Sequence, residues 1–214
     1  MTKLDEIALN IELVLISIVE GVALVTLGDH ATDVLQGPQA LHLAPFVLAG
    51  LLLLLVFWAQ SILHAISFIR WPLKMEHMFL YFVAAFVQVI AYGCITDAKA
   101  WFFWWTIFSL VALATYVVDL RIMKESPLAR DPIHANYIQE IVTRHLFEMK
   151  YLVPVAIAFN LLAYAIVTYT PPTAMDTLTL AALGILQSLI SLIALLDCVR
   201  NFNKRSHLLP AHFE

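Results

Sequence analysis

Six mostly apolar stretches of about twenty residues, at 7–27, 45–69, 78–95, 101–120, 151–169 and 178–199, take up most of this 214-residue chain. At 1.5 Å per helical residue, each reaches across a hydrocarbon core of ~30 Å. Backbone N–H and C=O groups in lipid must be satisfied within the structure, which leaves helices or a closed barrel. Barrel strands read as ~10-residue segments of alternating polarity, and none of the six runs alternates in that way. The expected fold is therefore all-α: a polytopic membrane protein with six transmembrane helices in a single transmembrane domain, 1–214. Composition agrees, since 62% of residues are hydrophobic and only 13% are charged. Asp5 and Glu6 precede the first run where a cleaved signal peptide carries basic residues, so that run is expected to be retained.

Alternate loops divide the twelve Lys and Arg residues unevenly. One side receives eleven of them, from Lys3 to Arg205, and the other receives Lys99 alone. By the positive-inside bias, both termini are expected in the cytoplasm and the chain in a bacterial-type inner membrane. The aromatic run Trp101, Phe102, Phe103, Trp104 and Trp105 is then expected to anchor the fourth span at the outer headgroups, and Trp71 to do so at the inner ones.

Against this apolar background the polar residues inside the spans are conspicuous. Glu20 lies deep in the first span, where an ionisable group costs several kcal/mol unless it is paired, protonated or wetted. Overlaying the odd-numbered spans aligns Glu20-Gly21-Val22-Ala23 with Gln88-Val89-Ile90-Ala91 and Asn160-Leu161-Leu162-Ala163. Glu76 and Glu148 each stand twelve residues before their amide. The even spans share a serine, at Ser61, Ser109 and Ser188. This pattern suggests three helical-hairpin repeats around an axis along the membrane normal, with Glu20, Gln88 and Asn160 at one level as an ion or proton site. Glu12, two turns before Glu20, and His64 in the second span are expected to extend the path inward, with inner-end ion pairs Asp119–Arg121 and Asp197–Arg200 as gating candidates.

The outer linker 28–44 is expected to be a loop that folds over the mouth, and the cytoplasmic linker 122–150 to hold a helix that starts near Pro132 and leads into the fifth span, kinked near Pro154. Gly184, Ser188 and Ser191 give the sixth span a small-residue face suited to close packing within or between protomers. No cofactor is expected. A haem or metal held by His64 with His77 or His145 is set aside, because these residues lack the i, i+3 or i+4 spacing of a ligand pair. Hydrolase, phosphate-loop and CxxC motifs are absent from the sequence, and the dispersed basic residues do not suit a nucleic acid. The expected partners are the lipid bilayer and an ion or small solute, with a homo-oligomer or protein partner also in view. The sequence thus reads as a small channel or ion- or proton-coupled transporter rather than an enzyme. The alternative is a non-catalytic structural or sensory subunit that docks a partner through 122–150, and a haem-binding protein or an intramembrane enzyme built on Glu20, His64 and a serine is the less favoured reading.

Overall fold

The computed structural model describes residues 3–67, 75–125, 135–171 and 177–206, and every regular element among them is helical. These are α1 (Lys3–Gln36), α2 (Ala40–Ser67), α3 (Met75–Gly93), α4 (Ala98–Glu125), α5 (Ala135–Phe147), a π-helical segment (Glu148–Leu152), α6 (Val153–Tyr169) and α7 (Thr177–Ser206). Six stretches of helix among the described residues are long and apolar enough to cross a membrane, the fifth running from Ile138 through the π segment to Tyr169. Trp71 and the Asp131-Pro132 pair lie outside the described residues. The chain forms two compact units. One comprises Met1–Pro72, Tyr92–Ala98 and Thr170–Glu214, and the other Leu73–Ala91 and Lys99–Tyr169.

The first unit contains α1, α2 and α7. With 34 residues, α1 is ~51 Å long and outruns a hydrocarbon core at its ends. It does not stop where the apolar run stops. The expected loop 28–44 is instead helical except for a turn at Gly37, Pro38 and Gln39. Polar Asp29, His30, Thr32 and Asp33 do not break a helix, and Thr32 bonds its hydroxyl to the Gly28 carbonyl at 3.0 Å. Pro38 does break it, by removing an N–H and forcing Gly37 out of helical geometry. On α1 the buried side chains Ile16, Glu20, Ala23, Leu27 and Val34 form one stripe, and the positions between them are mostly exposed.

Small residues bring α7 against α2. A Cβ added at Gly184 would stand 2.9 Å from Cβ of Pro45 and 3.1 Å from the Phe46 ring, so glycine sets this approach. One turn on, Ser188 Oγ lies 3.0 Å from the Pro45 carbonyl and 2.9 Å from that of Gly184. Further along, the Gln60 amide donates to the buried Cys198 sulfur at 3.1 Å. The small-residue face seen in the sequence therefore packs within the chain.

In the second unit the aromatic run of α4 divides by helical angle. Trp101, Phe102 and Trp105 share a face and are buried, with Phe102 edge-on to Phe159 at 6.0 Å. Phe103 is 42% exposed, and it pairs with Trp104 on the other side. The expectation that all five act as interfacial anchors therefore fails for Trp101, Phe102 and Trp105, because residues at i, i+1 and i+4 turn to one side of a helix.

Helices α5 and α6 are one continuous helix interrupted by the π segment. The Val153 N–H reaches back five residues to the Glu148 carbonyl. Pro154 follows immediately. It has no N–H for the carbonyl at residue 150, and the widened turn before it takes up the disturbance that the proline implied.

Candidate functional site

Each unit buries carboxylates within helices of membrane-crossing length. In the first unit, Glu20 is 5% exposed near the midpoint of α1 and lies within the buried stripe of that helix. Among the described side chains of α1 five are buried, at Ile16, Glu20, Ala23, Leu27 and Val34, and one of these positions is given to an ionisable group. In the second unit, Gln88 is 0% and Asn160 5% exposed, and Asn160 donates one amide hydrogen to the Ala156 carbonyl at 2.9 Å. The alanine three residues after each polar position, at Ala23, Ala91 and Ala163, is also buried. All three aligned positions therefore face protein rather than lipid. Glu12 lies on α1 and His64 on α2, with side chains outside the described ones.

The wider match between the third and fifth spans has a different outcome. Twelve residues of regular α-helix place Glu76 ~120° from Gln88, and Glu76 is exposed. The same twelve residues from Glu148 to Asn160 include the π segment, whose extra residue absorbs ~100° and leaves the two only ~20° apart. Glu148 is accordingly buried, at 4% exposure. Equal spacing in sequence thus yields unequal placement in space. The shared serines do not distinguish the even spans either. Ser61, Ser109 and Ser188 each bond the carbonyl four residues back, but so do Ser17, Thr26 and Ser191 elsewhere.

The densest polar cluster gathers in the second unit, on the start of α3, the end of α4, α5 and the π segment. Arg144 Nε donates to Glu148 Oε1 at 2.7 Å, a charge-assisted bond within one helical face, and the Tyr116 hydroxyl donates to Oε2 at 2.9 Å. Tyr116 also packs against His145, with ring centroids 4.6 Å apart and ring planes tilted by 48°. One turn beyond Tyr116 on α4, Asp119 is 3% exposed between two imidazoles. His77 Nε2 lies 3.4 Å from Oδ1 and His145 Nε2 lies 3.4 Å from Oδ2.

The expected pairing of Asp119 with Arg121 put these residues two apart on a helix, where side chains point in opposite directions. Arg121 is exposed, whereas Asp119 turns inward to the histidines. On α7, Asp197 accepts a bond from Asn201 at 3.3 Å, and Arg200 is exposed. Sequence spacing gave no sign that His77, Asp119 and His145 meet, because they come from three helices. Among the described residues no group of three or more His, Cys, Asp or Glu is arranged to hold a metal ion.

Neither Cys94 nor Cys198 forms a disulfide. Cys94 lies in the turn between α3 and α4, where burial and then the Asp97 carboxylate push its thiol up from the ordinary range. No known protein family, curated protein or solved structure matches the chain.

Proposed function

We propose that this chain is a small integral membrane channel or ion- or proton-coupled transporter in which Glu20 is the intramembrane carboxylate of the path. The observation that carries this reading is the burial of Glu20 inside the packing stripe of α1. A leucine there would pack at far lower cost, since a carboxylate removed from water must be neutralised or solvated by its surroundings. Gln88 and Asn160, at the positions aligned with Glu20, are buried as well, and the threefold hairpin arrangement is proposed from that sequence pattern. Glu12 and His64 are proposed for the inner half of the path. The eleven-to-one division of Lys and Arg supports cytoplasmic termini and an inner-membrane location.

The docking-subunit alternative places a partner on the cytoplasmic linker 122–150, whose described part is helical, with Ile138, Ile141 and Val142 buried and Leu146 and Phe147 exposed. The test uses protein reconstituted in vesicles under imposed ion and pH gradients. Flux is expected in the native chain and is lost in Glu20→Gln, with helicity and thermal stability retained. Absence of flux in the native protein under every gradient would overturn the proposal.

A further inference from the structure

The two buried carboxylates of the α3–α4–α5 cluster are compensated by different kinds of group. Glu148 is held by Arg144, a guanidinium that stays charged at any working pH. Asp119 faces His77 and His145, whose imidazoles belong to the residue type that gains and loses charge near neutrality. We infer that His77, Asp119 and His145 form a proton-binding site, in which one carboxylate and two imidazoles share a proton. The inference names the proton as the species handled, and its role in flux rests on the transport reading above.

The geometry supplies three reasons. At 3.4 Å, both N···O separations exceed the usual 2.7–3.2 Å of an N–H···O bond, so either contact has room to tighten when it becomes charge-assisted. Asp119 is almost wholly removed from water, so an added proton on either ring balances its charge where solvent does not. The neighbouring Glu148 is already balanced by Arg144 at 2.7 Å, so the charges of that pair are set against each other rather than against Asp119. Tyr116 links the two carboxylate sites by packing its ring against His145 while donating its hydroxyl to Glu148. Among the described side chains, the other charged groups on these elements' ends are Glu76 beside His77, Arg121 and Lys124 beyond Asp119, Glu140 one turn before Arg144, and Lys150 in the π segment; all but the half-buried Glu140 are exposed.

Groups that share a proton titrate as a unit, so each histidine must sense the other through Asp119. Full-length protein carrying 15N-labelled histidine in lipid nanodiscs is titrated by NMR over about pH 5 to 8. His77→Gln is expected to displace the titration midpoint of His145, and His145→Gln that of His77. Asp119→Asn is expected to abolish this mutual dependence. If Asp119→Asn fails to fold, the two histidine variants decide the matter alone, since both side chains are partly exposed. Midpoints that ignore each other's substitution would overturn the site. In vesicles, His77→Gln and His145→Gln are expected to slow pH-driven flux severalfold. Coupled titration with no native flux would sink the transport reading and leave the proton site standing. Flux with uncoupled histidines would do the reverse.

Discussion

Replacing Gly184 with alanine sets two effects of known size against each other. In a helix interior, alanine is favoured over glycine by about 1 kcal/mol. The new methyl would lie 2.9 Å from Pro45 Cβ, and 3.1 and 3.2 Å from two carbons of the Phe46 ring. Pro45 Cβ is fixed by its ring and Phe46 is fully buried, so neither neighbour rotates away. Forcing an extra carbon into such a contact costs about 1–3 kcal/mol, and here the upper half of that range applies because rigid atoms on α2 must shift. The steric term wins, giving a net loss of about 1–2 kcal/mol. Gly21 and Gly28 supply internal controls, since a Cβ at either meets nothing within 4 Å. Gly21→Ala and Gly28→Ala should be neutral or gain up to about 1 kcal/mol from the helix term alone. Reversible unfolding in mixed detergent–SDS micelles, followed by far-UV circular dichroism, measures all three. A Gly184→Ala protein as stable as Gly21→Ala would refute the reasoning, because it would mean that α2 and α7 are not held at this separation. Ser188→Ala should cost a further ~0.6–1.7 kcal/mol, and combined with Gly184→Ala the losses should not add, since both residues act on Pro45.

Three more outcomes follow from the packing and the electrostatics. Phe102→Ala should cost about 3–5 kcal/mol by emptying a buried site against Phe159, whereas Phe103→Ala, on the exposed side of α4, should cost far less; equal losses in the same unfolding assay would return the whole run to the interface. Tyr92→Phe should cost about 1 kcal/mol by removing the hydroxyl that donates to the Gly50 carbonyl at 3.0 Å, with the ring left in place. Because its thiol is pushed up, Cys94 holds less thiolate at any pH below its midpoint, so alkylation should follow a pH–rate curve displaced upward from that of a free thiol. Asp97→Asn should move the curve partway back down, since burial is the larger cause, and an unmoved curve would remove Asp97 from the account.

Apolar runs were enough to reveal the helices because lipid imposes one requirement on every spanning segment. They did not reveal where helices end, since hydrophobicity marks contact with lipid and not the limits of hydrogen bonding; α1 continues through Asp29, His30 and Asp33 until Gly37 and Pro38 stop it. The inward placement of Glu20, Gln88 and Asn160 was legible as a recurring polar position followed by alanine. The division of the Trp101–Trp105 run was available from helical angle but hidden by treating the run as a block. Asp119 was noticed and its partners were not, because His77 and His145 reach it from other helices and no sequence spacing encodes that meeting. Pro154 announced a disturbance without saying that the backbone would widen before it.

That widened turn also governs which changes in chain length the fifth span accepts. Losing one residue from a regular membrane helix turns everything beyond it by ~100°, exchanging side chains that face lipid with those that face protein. Between Glu148 and Leu152 the chain carries one residue more than a uniform α-helix needs to align Ile141 with Asn160. A single deletion there would restore ordinary winding, shorten the span by ~1.5 Å and leave Asn160 and Ala163 on their present bearing. Sequence comparisons that align the third and fifth spans without a gap are therefore one position out of step on one side of this turn.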